Sequence, residues 1–376
     1  RMKSGLLPFI VWGLLCLGCL TSARAQDPSF SQFYANRPYL SPALVGLDKG
    51  ITVSAISRVQ WFRADQGFRT HALAVELQEP LLKSGFALTF HQDNQGLANL
   101  ATTSVGFAYS YSIPGPKHNV HFGLQARWAQ RRIDWDRLTF SDQLHPIYGL
   151  VNLSSAQPLN DRVTYWDVDF GFAWRFDAGE SRGQRTLSSS RYIVGFAIHH
   201  LPSLFGANQA NESFQNLETI VPPRFTFHAG GIIPITFLQG VKNEFAISPN
   251  FKFDIQGDNL FNFSQSLQVF TLGANVLYHN LYAGLYYQDR FPFPGGIRHT
   301  NAFIVVGGVD LDLGHSESAH KLFLGLSVDI NTTGLGIEGG NVYELALRYN
   351  FAGFPGLASK SYGASSKRIL DCKSFY

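Results

Sequence analysis

Three histidines raise the first chemical question. His199 and His200 are adjacent, and His228 lies on the next strand-like stretch. Imidazoles placed this way serve as metal ligands or as general acid–base groups. Covalent catalysis would need a nucleophile beside an oriented base, and no nearby serine offers one. The H-E-x-x-H spacing is missing too. A hydrogen-bonded cluster of inward-facing polar groups, with His199 and His228 on neighbouring strands, accounts for them better. Gly334-Leu335-Gly336-Ile337-Glu338-Gly339 fits G-x-G-x-x-G by letter, but dinucleotide binding needs a strand before that loop and a helix after it. Amphipathic strand-like stretches flank it on both sides, so it reads as a glycine-rich hairpin loop. The run 254–259 (DIQGDN) and Asp93 with Gly96 offer oxygen ligands without the twelve-residue calcium pattern, and read as polar loop tips. No catalytic, cofactor-binding or metal residue is expected, and no cofactor.

The elements that position these residues share one pattern, clearest in 165–177 (YWDVDFGFAWRFD). Trp166, Val168, Phe170, Phe172, Trp174 and Phe176 fall on one parity; Asp167, Asp169, Gly171, Ala173, Arg175 and Asp177 fall on the other. Side chains alternate across a strand, so one face is apolar and aromatic and the other small or charged. Strands of globular proteins usually end after about five or six residues. This alternation persists long enough for a tilted strand to cross a bilayer, which takes about nine to eleven. Carboxylates then face a wet lumen and the large apolar groups face lipid.

Fourteen such stretches are expected, near 50–59, 70–78, 84–91, 101–111, 119–131, 165–177, 191–199, 224–233, 243–254, 266–278, 281–289, 300–311, 322–330 and 341–351. Longer connections alternate with shorter ones, the habit of outer-membrane barrels with both chain ends in the periplasm. An open sheet edge cannot sit in lipid, so the sheet must close. The expected fold is an all-β, antiparallel transmembrane barrel of about 14 strands over residues 50–351. Its lumen should carry Asp167, Asp169, Arg175, His199, His228, Glu344 and Arg348, with the charges pairing among themselves.

Composition agrees. Of 376 residues, 45% are apolar and 14% aromatic, and only 15% are charged, against roughly 25% charged in an average soluble domain. The excess positive charge sits in Arg1, Lys3 and Arg24, ahead of residue 26. The remainder is balanced, which gives no electrostatic reason to expect nucleic acid. Residues 1–25 read as a secretory signal: Lys3, an apolar core over 6–20, then Ala23-Arg24-Ala25 before Gln26. A lipoprotein reading at Cys19 is weaker, because Cys16 stands where an aliphatic residue belongs. Residues 352–376, rich in Ser, Gly and Lys, read as a flexible periplasmic tail, in which Cys372 has no partner.

Residues 26–49 (QDPSFSQFYANRPYLSPALVGLDK) stand apart. Pro28, Pro38 and Pro42 exclude a continuous helix or a central strand, so an extended segment is expected. Phe30, Phe33, Tyr34 and Tyr39 are too many aromatics to leave in water. They should pack in the periplasmic mouth of the barrel, as a plug, or against a periplasmic component. With Asn36 and Pro42 they form the candidate docking surface.

Several motifs lie in a recognisable order. They are Asp27-Pro28-x-Phe30-Ser31-Gln32-Phe33-Tyr34-x-Asn36, Tyr39-Leu40-Ser41-Pro42-Ala43, Arg58-Val59-Gln60-Trp61 and Asp134-Trp135. Then come 195–201 (GFAIHHL), Pro222-Pro223-Arg224-Phe225, Ser248-Pro249-Asn250, 282–287 (YAGLYY) and Tyr343-Glu344-Leu345. The set resembles the PorP/SprF family, outer-membrane components of the type IX secretion system of Bacteroidota. The resemblance implies a non-enzymatic barrel in the outer membrane, in contact with its lipids. It also implies periplasmic ring proteins, a peptidoglycan-associated partner and a secreted cargo or adhesin as associates, in secretion or gliding motility. The rival reading from residue pattern alone is a porin or substrate-transport channel, which leaves residues 26–46 unexplained.

Overall fold

The computed structural model describes residues 27–63, 67–151, 154, 160–178, 190–205, 214, 221–235, 245–257, 266–290, 302–313, 320–331 and 339–351. The expected secretory signal at 1–25, residues 334–338 of the glycine-rich loop motif and the expected tail at 352–376 lie outside them.

The alternating stretches form strands β1 (Ile51–Gln60), β2 (Phe68–Glu79), β3 (Ser84–Gln95), β4 (Leu100–Pro114), β5 (His118–Arg132), β6 (Leu144–His145), β7 (Gly149–Leu150) and β8 (Arg162–Asp177). They continue through β9 (Arg191–His199), β10 (Arg224–Pro234), β11 (Phe245–Gln256), β12 (Leu267–Tyr278), β13 (Leu281–Arg290), β14 (Ala302–Asp312), β15 (His320–Asn331) and β16 (Val342–Phe351). All but β6 and β7 join one closed antiparallel barrel, in which sequence neighbours pair and β1 meets β16. The barrel therefore has the fourteen strands expected. The pair β6–β7, not expected from the sequence, is a separate two-stranded hairpin in the connection after β5.

Burial follows the pleat. On β8, Trp166 is 62% and Trp174 46% exposed, whereas Asp167, Asp169 and Ala173 are at 2%, 1% and 0%. This inverts a soluble sandwich, where aromatics are covered and acids are wet; it is what a lipid exterior and an internally satisfied lumen require. The long connections 133–161 and 200–223 leave one end of the barrel, here the loop end. The connections 80–83, 115–117 and 279–280 leave the other, the turn end. Among the described residues no helix is long and apolar enough to cross a membrane.

Candidate functional site: the filled lumen

Residues 27–49 run inside the barrel, from the loop end at Asp27 to the turn end at Lys49. The segment is not extended as expected. It makes 3-10 turns at Phe33–Ala35 and Pro42–Leu44 and one α-helical turn, α1 (Arg37–Leu40). Its prolines explain the difference. Pro38 and Pro42 stand in the first positions of these turns, where a missing N–H costs nothing and a fixed φ helps. The turns shorten the segment so that it spans the lumen depth rather than trailing from it. Phe30, Phe33, Tyr34, Asn36 and Pro42 are all buried and Tyr39 is half-buried. The side chains expected in the barrel's mouth, as a plug, or against a periplasmic component thus meet the barrel's own wall.

Each part of the segment is held by a different sector of that wall. At the loop end, Asp27 lies 2.8 Å from His200 Nε2 and 3.1 Å from an Arg224 nitrogen. The other ring nitrogen of His200 is 2.7 Å from Asp167. Arg127 reaches Asp167 at 2.6 Å and Asp169 at 2.9 Å, and Asp169 also accepts the backbone N–H of His200 at 3.2 Å. His200 is a non-glycine in the left-handed region (φ 59°, ψ 43°), just ahead of α2 (Leu201–Leu204). That conformation costs about 1–2 kcal/mol, and the N–H to Asp169 bond helps to hold it. Burial disfavours a charged imidazole, yet Asp27 and Asp167 outweigh it and push His200 up to about 10. Burial would likewise raise the Asp27 carboxyl, but His200 and then Arg224 hold it well below the usual range. Three carboxylates thus face Arg127, Arg224 and a protonated His200, so the buried cluster balances in charge.

Deeper in, Glu344 accepts two successive backbone N–H groups, from Ser31 at 2.9 Å and Gln32 at 2.7 Å. Arg58 lies 3.2 Å from Glu344 and 3.0 Å from Asp329, and the Ser31 hydroxyl donates to Asp329 at 2.6 Å. On another side Tyr34 stacks on Tyr286 with centroids 6.2 Å apart, and Lys252 donates to Ser29 while standing over the Phe33 ring. Toward the turn end the Gly46 N–H reaches Glu76 at 2.9 Å, and the Val45 and Lys49 carbonyls accept from Ser110 and Asn350. Arg37 and Asp48 pair within the segment at 2.9 Å. Burial opposes the charge on Asp48, and Arg37 overcomes it to keep the carboxyl low.

The inward residues chosen from the sequence are buried on the inward parity, and several of their ion pairs run to other groups of the lumen. Asp167 and Asp169 bind Arg127, Arg175 bonds Asp177 at 3.3 Å, and Glu344 binds Arg58. Arg348 covers the Phe323 ring at 5.0 Å. The reason is register. Arg127 faces Asp167, and Arg58 faces Glu344, as direct cross-strand partners. His199 lies 3.5 Å from Asp169, and His228 pairs in register with Gly195 on the same strand as His199, its ring lying over that glycine. Among the described residues no group of three or more His, Cys, Asp or Glu is placed to hold a metal. Asp27, Arg58 and Arg224 stand in the sequence only as members of the ordered motifs, and Arg127 and Asp329 are further lumen groups that the sequence reading does not name. The inward parity shared by Arg127 and Asp167 was the available signal; the partners of Asp27 come from distant strands and left none.

No match exists among curated protein sequences. Among solved structures the chain is similar, at low identity, to outer-membrane proteins. "CymD monoaromatic hydrocarbon channel" is 11% identical with a TM-score of 0.43, covering 87% of this chain and 93% of that one. The Pseudomonas putida toluene transporter TodX is 11% identical with a TM-score of 0.39, covering 82% and 92%. Omp33 of Acinetobacter baumannii is 9% identical with a TM-score of 0.35, covering 81% and 100%. The model of the family described as type IX secretion system membrane protein PorP/SprF matches residues 22–349. A closed fourteen-stranded barrel with lipid-facing aromatics, together with that match over most of its length, makes this chain an outer-membrane protein of the PorP/SprF family.

Proposed function

We propose that the protein is a non-enzymatic component of type IX secretion that supports secretion or surface attachment of cargo without itself being the conduit. One observation carries this reading: residues 27–49 fill the lumen and bond to its wall at every depth. A polypeptide or solute would have to displace a segment held by buried ion pairs and by stacked aromatics. In this reading residues 26–49 are a plug, and the secretion machinery is engaged through the barrel's ends. The periplasmic ring proteins and a peptidoglycan-associated protein would meet the turn end, and cargo or adhesin the loop end. A porin or substrate-transport channel would need an open path, and the filled lumen counts against it.

The test uses the full chain and a deletion of residues 27–43, each inserted in planar bilayers and each complementing a null strain. The proposal expects no conductance from the full chain, stepwise conductance from the deletion, and loss of secreted or surface-attached cargo with the deletion. Steady conductance from the full chain would restore the channel reading. Normal secretion by the deletion strain would remove the plug from the function.

A further inference from the structure

The outward face of β5 and β8 carries a feature that neither the barrel nor the secretion role uses. Their register places Trp128 opposite Trp166, then Gln130 opposite Thr164, then Arg132 opposite Arg162. Arg132 and Arg162 are both exposed and both on the lipid-side parity, at the loop end of the two strands. Like charges directly opposite on one face of a sheet repel. No carboxylate among the described residues relieves this pair, whereas nearby Arg137 is bonded to Asp134 at 2.7 Å. Two guanidiniums facing each other in this way favour an anion between them.

Their height says which anion. On β8 the two tryptophans of the lipid-side parity, Trp174 nearer the turn end and Trp166 nearer the loop end, are eight residues apart. At about 3.4 Å per residue and a tilt of about 40°, that spans about 21 Å, close to the apolar band of about 25 Å typical of such barrels. Tryptophans at both edges mark the two membrane interfaces. Arg162 lies four residues beyond Trp166, roughly 10 Å higher by the same geometry, at headgroup level. The long connections leave this end, which puts it in the outer leaflet. That leaflet is built of phosphorylated glycolipid in Gram-negative bacteria. Guanidinium forks bind phosphate oxygens in pairs, and the polar Gln130–Thr164 pair gives sugar hydroxyls neighbours between phosphate and tryptophan.

We propose that Arg132 and Arg162 form a binding site for the phosphate of an outer-leaflet glycolipid, with Trp128 and Trp166 flanking its acyl–sugar junction. The inference rests on the loop end facing outward and not on the secretion role.

The experiment titrates detergent-solubilised full-length protein with bisphosphorylated lipid A, and in parallel with its dephosphorylated form, by native mass spectrometry. Expected is a weakening of about tenfold or more in the R132Q/R162Q double variant. The dephosphorylated lipid should bind the unmodified protein as weakly as lipid A binds that variant. Arg137→Gln, an equal charge change nearby, should leave binding unaltered. Excess inorganic phosphate should fail to displace the lipid. Heat-modifiable gel migration checks that each variant is folded. If the double variant does not fold, R132K/R162K keeps the charge but loses the forks and should bind at an intermediate level. Unchanged lipid A binding in a folded variant, or equal binding of the dephosphorylated lipid, would overturn the proposal. Displacement by inorganic phosphate would also overturn it, by making the site one for free anions.

Discussion

Gly123 and Gly171 are direct register partners on β5 and β8, and together they make the notch in which Pro42 and Ala43 sit. A side-chain carbon at either position would collide with the backbone of that turn. These two glycines lie on the inward parity, where the segment passes closest to the wall. Their value is the missing atom rather than backbone freedom.

Gly123→Val or Gly171→Val is therefore expected to leave the barrel assembled and expel the turn at 42–44. Overpacking of this kind costs about 1–3 kcal/mol where the neighbours can move, and here the neighbour is main chain. Limited proteolysis of residues 27–49 should accelerate at least about fivefold. Ala126→Val, on the lipid side of the same strand, is the control and should change nothing.

Glu344→Gln removes the charge that accepts both the Ser31 and Gln32 amides and faces Arg58. Breaking one partner of a buried pair costs about 3–5 kcal/mol, and the retained amide oxygen recovers part of it. Hydrogen exchange at Ser31 and Gln32 should quicken by about a hundredfold, while exchange in β5 and β8 stays unchanged. Equal acceleration throughout the barrel would mean that Glu344 holds the sheet and not the segment.

Docking at Asp27 should depend on pH from both sides. His200 has a folded value above its unfolded one, so its contribution is complete below about 6.5. It fades as pH rises through about 10. Asp27 is depressed, so its contribution is complete above about 3.9 and is lost as pH falls below that. The labelling rate of Ser29→Cys by a thiol-reactive probe, divided by that of a free thiol at the same pH, should be low near pH 6 and higher at pH 10. A flat alkaline profile would count against a charged His200.

Phe170→Arg or Phe172→Arg should block assembly, since a cation near the midplane on the lipid face costs about 2–4 kcal/mol. Asp169→Asn should leave the barrel assembled and loosen only the Asp27 end of the segment, because Asp167 still holds Arg127. Heat-modifiable migration reads the first effect and protease sensitivity the second. Equal loss of assembly from both parities would contradict the inward placement of Asp169.

The barrel was legible because alternation is local. Trp166 next to Asp167 next to Val168 declares two environments without knowledge of any other strand. Strand number followed from repeating that reading, and lumen membership of Asp167, Asp169 and Glu344 came with parity. Pairing inside the lumen was not legible in the same way. Arg58 meets Glu344 only because β1 closes on β16, and Asp27 meets Arg224 only because the segment traverses the lumen. Those contacts depend on closure and on the path of a proline-rich stretch, and neither leaves a periodic trace. Pro38 and Pro42 exclude a continuous helix, as expected, but stand at the starts of single turns that the expected extended path leaves out. The hairpin β6–β7, with two residues in each strand, is too short for any period to show.

The Arg58–Glu344 pair lies across the one boundary that must be sealed to turn a sheet into a cylinder, between the first and last barrel strands. The segment grips both sides of it. Ser31 and Gln32 donate to Glu344 on β16, while Arg58 on β1 bonds the Ser31 hydroxyl. Lys49, just before β1, accepts from Asn350, which also donates to Thr52 across the same boundary. Sealing and filling therefore share their groups, and neither is complete without the other. A barrel closed around an empty interior would leave Glu344 short of two donors at its own seam. The seam therefore reaches its full set of hydrogen bonds only with the segment in place.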